Sequence, residues 1–396
     1  MGSGNMGATV KMHVADHFPC GKYNLFASFM VRALELLDFS GIWAFVSLRG
    51  FLTLEQYTEL RELIGYSAPL ALAADLGPGA FEAISGEVVT VGLFIGSRPR
   101  NGSYRCTFLD VRTEKDRQRA LIERSCPVYE FTSEMLAAVP GRRYSYRLTQ
   151  GQIELFRTCP SLRQYCFMTI GLITGHNQRF VRFAHEENRN SRWVGYLKTQ
   201  SETAWSGEVN EVVDWEHEGA RIRARYAEVG ATGGKFNGAE FFLNPGLAAT
   251  RVGGGALKAR LFPSGLLFDS AASCGFAADR TTLLSVCGYL NSGLAQHYAT
   301  ELNGSFNYQA GDLNLLPMRS PTSLEAAAVA ELVSTSVEAA QELVALSPTH
   351  FSFRPLVMRG GITSLLELVS DYVHFQQERC SVIAACTAEL DRAVCS

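Results

Sequence analysis

The chain has 396 residues, of which 47% are hydrophobic and 19% are charged, and its formal net charge is −3. No apolar run reaches the roughly 18 residues that a transmembrane helix needs, and residues 1–8 lack the apolar core of a signal peptide. The slightly acidic balance excludes a uniformly basic DNA-coating protein. We therefore expect two or three globular domains, no membrane association and a cytoplasmic location.

The N-terminal third alternates helical and strand patterns. Apolar residues at helical spacing predict a helix over 23–37, and a buried strand follows at 42–48. The next elements are a helix at 54–64 and strands at 70–76, 88–95 and 104–111. This order is typical of an α/β sheet, and specifically of the second half of a Rossmann-like domain.

The remainder of the chain is less regular until its last quarter. From 148 to 320, short strands and aromatic residues alternate with Gly/Asn turns. Residues 320–323 then open an amphipathic helix over 322–346, and residues 362–394 form a second long helical stretch. Such helices usually pack on the preceding domain or on a partner.

The distribution of charge and the spacing of the cysteines indicate which ligands the chain could bind. Residues 97–147 hold eleven Lys/Arg against six Asp/Glu, and residues 148–260 hold fourteen against eleven, whereas both ends of the chain are acidic. A basic middle suits a nucleic-acid-facing surface. The ten cysteines include no Cys-x-x-Cys pair and none at zinc spacing beside a histidine, so we expect reduced thiols and no metal.

The stretch 171–182 carries the most informative motif. It combines glycines that permit tight turns with short polar side chains, two arginines and one aromatic residue; these residues are Gly171, Thr174, Gly175, Asn177, Arg179, Phe180 and Arg182. Arg179 and Arg182 lie three positions apart and can reach phosphates or base edges, while Phe180 can stack or pack. The alternative interpretation is a polar turn that enters a strand.

This T-G-x-N-x-x-F-x-R pattern resembles the start of the target-recognition region in PglX-like adenine-specific DNA methyltransferases. These are the modifying enzymes of BREX phage defence, and fused restriction–modification methylases are their wider class. Further stretches resemble the family in the same order: Arg192–Lys198, Trp205–Gly207, Val213–Glu216, a strand pair over Phe262–Asp269, Leu290–Ser292 and Leu302–Leu313. With weaker matches near the N-terminus, the resemblance covers residues 1 to about 380.

The resemblance implies an α/β fold with three parts. Residues 1–147 would be the C-terminal half of a Rossmann-like methyltransferase sheet, and residues 148–320 a mixed α+β target-recognition domain. Residues 321–396 would form a helical C-terminal segment. The complete enzyme would transfer a methyl group from S-adenosylmethionine to the exocyclic amine of adenine in DNA.

Two parts of the family's catalytic machinery are not found in this sequence. The Asn-Pro-Pro-Tyr motif, which holds the flipped adenine, does not occur. The glycines at positions 2, 4 and 7 and at 253–255 follow no predicted strand, so they lack the strand–turn–helix frame of a cofactor-binding turn. We therefore expect this chain to bind no cofactor and to be inactive alone, and to become active only with an N-terminal catalytic half.

The resemblance supplies candidate DNA-binding residues and partners. The candidates are Thr174, Gly175, Asn177, Arg179, Phe180, Arg182, Lys198, Arg251, Asn303, Asn307, Tyr308 and Gln309. Expected partners are double-stranded DNA and either an N-terminal methyltransferase half or other defence-system proteins. Two alternatives stay open: a non-catalytic, sequence-specific DNA-binding or specificity subunit, and an interaction scaffold for defence-system partners that uses the acidic helical tail.

Overall fold

The computed structural model describes residues 2–80, 89–98, 104–187, 192–198, 204–207, 209–228, 235–250, 256–303, 307–346 and 365–395. The chain divides into two compact units. We call residues 1–158 with 300–306 the N-terminal unit, and residues 159–299 with 307–396 the C-terminal unit.

The N-terminal unit is built on one five-stranded sheet. Its strands are β1 (Ile42–Leu48), β2 (Leu70–Pro78), β3 (Thr90–Ser97), β4 (Arg105–Asp110) and β5 (Val128–Thr132), in the order β1-β3-β2-β4-β5. Strand β3 is antiparallel to both of its neighbours, so β1 and β2 run in the same direction. Strand β4 is parallel to β2, and β5 is antiparallel to β4. The sheet is therefore mixed.

In the described part of this unit there are six α-helices. They are α1 (Ala8–His17), α2 (Leu25–Leu36), α3 (Thr58–Ser67), α4 (Arg117–Glu123), α5 (Ser133–Ala138) and α6 (Gln150–Thr158). Helix α2 begins where the Asn24 side chain accepts from the Phe26 amide, and it buries Met30, Val31 and Leu34. The Trp43 indole on β1 donates to the Ala68 carbonyl at 2.8 Å, which fastens the end of α3 to the sheet.

One buried arginine connects α3 to the turns around it. Arg61 is fully buried, and its guanidinium donates to the carbonyls of Phe51, Leu54 and Gly141 at 2.7–2.9 Å. Burial, followed by the charge of Arg143, lowers the pKa of Arg61 to about 9. The side chain is therefore still charged at neutral pH, and carbonyl oxygens compensate for its loss of water.

The C-terminal unit contains two four-stranded sheets. The first, in the order β11-β10-β13-β6, is antiparallel, and the second has the order β12-β8-β9-β7. The strands are β6 (Cys166–Thr169), β7 (Val181–Phe183), β8 (Trp193–Leu197), β9 (Glu211–Asp214), β10 (Gly246–Ala249), β11 (Ala259–Phe262), β12 (Leu266–Phe268) and β13 (Ser273–Ala277). We call the second sheet the recognition sheet, because it carries the 171–182 motif at its β7 edge.

Helices cover both sheets of this unit. They are α7 (Asn177–Phe180), α8 (Glu216–Glu228), α9 (Arg280–Leu290), α10 (Gly293–Leu302, which continues into the N-terminal unit), α11 (Ala310–Leu313), α12 (Ser323–Val344) and α13 (Leu365–Cys395). Helix α12 begins with a capping box formed by Thr322 and Glu325. Among the described helices, none has the length and apolarity to cross a lipid bilayer.

Most of the predicted elements are confirmed. The strand predicted at 42–48 has those bounds, the other three predicted strands of the N-terminal unit lie within three residues of their expected bounds, and the mixed α/β class is observed. The strand pair predicted over Phe262–Asp269 is wrong in its pairing. Gly265, at φ +88°, turns the chain so that β11 pairs with β10 and β12 pairs with β8. The Rossmann-like half and the domain boundaries at 147 and 320 stay predictions.

Candidate nucleic-acid interface

The 171–182 motif forms a rigid turn that leads into the edge of the recognition sheet. The buried Thr174 hydroxyl donates to the Asn177 Oδ1 and accepts from the His176 amide at 3.3 Å. Gly175 has φ +71°, and a Cβ there would lie 3.0 Å from the Tyr226 hydroxyl, so glycine fits this position best. The turn leaves Asn177 exposed at the start of α7.

Phe180 anchors this turn in the core. It is fully buried in a hydrophobic cluster with Leu172, Tyr196, Val213, Ile222, Tyr226 and Leu267. Outside it, the exposed Arg179 lies with its guanidinium carbon 5.2 Å from the Phe180 ring centroid. Arg182 donates to the Gln178 and Val181 carbonyls, each at 2.8 Å. The aromatic residue therefore packs, and the two arginines lie at the surface of the same turn.

Three of the predicted residues meet in one pocket. Asn177, Arg182 and Lys198 line a cavity of about 320 Å³, together with Glu186 and Glu211. The Lys198 Nζ lies 2.7 Å from the Glu211 Oε2. The pocket thus presents amide, guanidinium, ammonium and carboxylate groups side by side. Such groups supply both the donors and the acceptors that reading base edges requires.

The other predicted residues lie elsewhere. Tyr308 is buried, and its hydroxyl accepts from the Gln296 side chain at 2.7 Å. Gln309 donates to the Asn307 carbonyl at 3.4 Å, and both residues are half-buried. Asn303 belongs to the N-terminal unit. Arg251 lies outside the described residues.

Two asparagines in or beside the family-like stretches hold the backbone. The Asn314 side chain accepts from the Met168 amide and donates to the Met168 carbonyl, both at 2.8 Å, and so extends the hydrogen bonding of β6. The Asn291 side chain forms the same pair of bonds with Ala259 on β11, at 2.9 and 2.8 Å. These residues fix sheet edges, which explains their position in the sequence pattern without a role in DNA binding.

Sequence reasoning missed a charged cluster on the recognition sheet. Asp214, at the end of β9, is buried and lies within 2.9 Å of Arg192 and 2.6 Å of Arg221. The guanidinium carbons of Arg192 and Arg182 lie 5.1 and 5.9 Å from the centroid of the Trp193 ring. The sequence did place Arg192-Trp193 and Asp214 in family-like stretches. It gave no signal that Arg221, on α8, returns to them.

Among the residues that the structure describes, the sheet of the N-terminal unit has no strand paired to the outer side of β1. Strand β1 is an outer strand, and its Ile42 and Val46 are 70% and 59% exposed. Leu36 and Phe39, just before β1, are exposed as well. An open strand edge beside apolar side chains favours pairing with another segment of chain.

The glycines near Met1 lie around a short turn and the start of α1. Gly2 makes an isolated bridge with Asn24, Gly4 lies in a single 3₁₀ turn and Gly7 precedes α1. The second glycine run, 253–255, lies outside the described residues.

Burial controls the acidity of side chains behind the interface. Burial, reinforced by the charge of Asp269, raises the pKa of the Tyr196 hydroxyl far above its usual range, and that hydroxyl lies 2.6 Å from the Asp269 Oδ2. Burial also raises the pKa of the Cys166 thiol to about 12. The nine described cysteines are free thiols, and six of them are buried.

Comparison with known proteins finds relatives among the adenine-specific methyltransferases. The adenine-specific methyltransferase PglX of Lacticaseibacillus casei (strain Zhang) is 28% identical over 366 residues, which cover 85% of this chain and 30% of PglX. The adenine-specific methyltransferase BrxX of Escherichia coli O9:H4 (strain HS) is 25% identical over 339 residues, covering 82% of this chain and 27% of BrxX. The chain thus spans under a third of the length of these relatives. No family model matches it.

Solved structures share the fold. The restriction–modification enzyme MmeI, in complex with DNA, superposes with a TM-score of 0.62 at 12% identity, covering 100% of this chain and 52% of MmeI. A nuclease-deletion mutant of the enzyme LlaGI, with a DNA substrate mimic, gives a TM-score of 0.51 at 11% identity, covering 85% of this chain and 32% of LlaGI. The resemblance seen in the sequence is confirmed, and the chain is homologous to part of the adenine-specific methyltransferases PglX and BrxX of BREX.

Proposed function

We propose that this chain is the DNA-recognition portion of an adenine-specific DNA methyltransferase of a BREX or restriction–modification system. The observation that carries the proposal is the pocket on the recognition sheet, where Asn177, Arg182 and Lys198 meet. Its homologues are adenine-specific methyltransferases, and a fold relative has been solved with DNA. In this proposal the C-terminal unit reads a short duplex sequence.

The candidate residues have two different tasks in this proposal. Asn177, Arg179, Arg182 and Lys198 contact DNA, since they lie at or near the surface of one turn and one pocket. Thr174, Gly175 and Phe180 shape the turn from below. Tyr308 and its neighbours Asn307 and Gln309 support a loop of the C-terminal unit, because their described contacts are internal.

Methyl transfer in this proposal depends on an N-terminal catalytic half of the enzyme. The given sequence contains no Asn-Pro-Pro-Tyr motif to hold the target adenine. The open edge of β1, with Ile42 and Val46 exposed, is the surface where a further strand of a larger α/β sheet would pair. When bound, S-adenosylmethionine would supply the methyl group from that other half.

Reconstitution tests the whole proposal. The chain is mixed with a segment of the PglX relative that contains Asn-Pro-Pro-Tyr, and transfer of a labelled methyl group from S-adenosylmethionine to duplex DNA is measured. We expect transfer from the mixture and none from either part alone. Duplex binding without transfer from the mixture would favour a non-catalytic specificity subunit. The absence of both duplex binding and methyl transfer would contradict the proposal.

The interaction scaffold makes a separate prediction. It depends on the hairpin of α12 and α13, where Leu324, Val369 and Val373 are exposed. A partner that co-purifies with the full chain and is lost on deletion of 321–396 would support the scaffold. Unchanged partner binding after that deletion would exclude it.

A further inference from the structure

Asp214 is a buried carboxylate that holds two arginines from different parts of the chain. Its side chain is 1% exposed, and its Oδ2 lies 2.9 Å from the Arg192 Nη2 and 2.6 Å from the Arg221 Nη1. Arg192 directly precedes β8, and Arg221 lies on α8. Burying a carboxylate is costly unless cations and hydrogen bonds compensate for the lost water, so this arrangement fixes the positions of both guanidiniums.

The two arginines also reach the surface. Their side chains are 39% and 45% exposed, although the carboxylate between them is not. Arg182 on β7 lies opposite Val212 on β9, and Asp214 on β9 lies opposite Trp193 on β8. Val212 and Asp214 are two positions apart on β9, so their side chains lie on the same face of the sheet. The register therefore places Arg182 on the same face as Asp214, the carboxylate that holds the other two arginines.

A strained turn brings Arg221 into this cluster. His217, Glu218 and Gly219 have φ values of 50°, 55° and 74°, three consecutive residues in the left-handed region. Two of them carry side chains that disfavour this conformation. At Gly219 a Cβ would lie 2.8 Å from the Trp215 ring, so glycine is required there. Strain of this kind persists where the surrounding structure enforces it, and it is concentrated at functional sites.

The surroundings are not uniformly basic. The charges of Glu216 and Glu187 act on Arg192 in addition to that of Asp214. General attraction of DNA to a basic field therefore explains little here. Two guanidiniums held in fixed positions can instead bind specific phosphates, because each planar guanidinium can donate two hydrogen bonds to two oxygens of one phosphate.

We propose that Asp214 is a positioning residue, which presents Arg192 and Arg221 as a clamp for the phosphodiester backbone of DNA. The inference rests on the proposed function and adds residues that the sequence motif did not contain. It requires that removing a negative charge, that of Asp214, weakens binding to a polyanion. Simple electrostatics requires the reverse, because the chain would gain one positive charge.

Four variants of the full chain separate these possibilities. They are Asp214→Asn, Arg221→Gln, Arg221→Lys and the control Arg32→Gln. Arg32 is an exposed arginine of the N-terminal unit outside the basic middle of the chain, paired with Glu35 at 2.8 Å, and its replacement removes the same charge as Arg221→Gln. The assay is the affinity of a fluorescent duplex of mixed sequence, measured at several salt concentrations.

We expect Arg221→Gln and Asp214→Asn each to bind DNA at least about tenfold more weakly than the wild type. The negative slope of log K against log salt should become less steep by about one. Arg221→Lys keeps the charge and loses the fork, so it is expected between the wild type and Arg221→Gln. Arg221 is half-exposed, which makes its variants informative even if Asp214→Asn unfolds.

The outcomes distinguish the two proposals. If the wild-type chain binds DNA and Arg221→Gln binds as tightly as the Arg32→Gln control, the clamp alone is overturned. Tighter binding by a folded Asp214→Asn variant would overturn the positioning role. No duplex binding by the wild-type chain at low salt would overturn the proposed function and the clamp with it.

Discussion

Replacement of Phe180 separates a core role from a base-stacking role. The ring is fully buried in the cluster beneath the recognition sheet. Truncation of such a ring to alanine costs about 3–5 kcal/mol of unfolding free energy, because it loses apolar burial and leaves a cavity. Leucine nearly conserves the volume, so Phe180→Leu should cost less than about 1.5 kcal/mol.

A base-stacking role gives different numbers in a different assay. Loss of one aromatic–base stack costs roughly 1–3 kcal/mol of binding, which is about 5- to 150-fold in affinity. Leucine cannot stack in this way, so Phe180→Leu would then bind DNA as weakly as Phe180→Ala. The core role predicts near wild-type affinity for Phe180→Leu.

Urea unfolding, followed by circular dichroism, and duplex binding by fluorescence anisotropy provide the two measurements. We expect a large stability loss for Phe180→Ala, a small stability loss for Phe180→Leu and unchanged duplex affinity for Phe180→Leu. Normal stability of Phe180→Leu together with a tenfold or greater loss of affinity would refute the core assignment.

Two further predictions concern the N-terminal unit. Arg61→Met should lower the unfolding free energy by about 3–5 kcal/mol, since it leaves the buried Phe51 carbonyl and the part-buried hydrogen bonds to the Leu54 and Gly141 carbonyls without their donor. Exposed Arg119→Met is its control, and equal melting temperatures for the two variants would contradict the assignment. The double variant Ile42→Lys with Val46→Lys should reduce self-association of the isolated chain in analytical ultracentrifugation, because lysines block an open strand edge. It should also abolish reconstitution with a catalytic half, and undiminished methyl transfer would exclude β1 as the docking edge.

The sequence predicted the elements of the N-terminal unit well because their periodicity is strong. Strand β1 and helix α12 combine continuous or regularly spaced apolar residues with clear end signals. Helix α1 was not predicted, and of its ten residues only Val14 is buried, so it carries no apolar stripe. The pairing of β11 and β12 was also beyond local pattern, since the turn at Gly265 sends neighbouring strands to different sheets.

The candidate site also contains residues that the sequence predicted and residues that it did not. Asn177, Arg182 and Lys198 were expected from a local motif and a resemblance, and the fold brings them to one pocket. Phe180 could stack or pack by its sequence alone, and only its burial distinguishes these roles. The cluster of Asp214, Arg192 and Arg221 joins residues up to 29 positions apart through a left-handed turn, and no spacing rule predicts such a contact.

The central claim is that this chain recognises a particular DNA sequence, and the most direct test selects duplexes from a random library with the purified chain. The affinity of the enriched duplex is then compared with that of a shuffled duplex at one fixed salt concentration. We predict an enriched motif that contains adenine and an affinity about 10³-fold or more above that of the shuffled duplex. Equal affinities for the two duplexes, or no enrichment after repeated rounds, would contradict the claim.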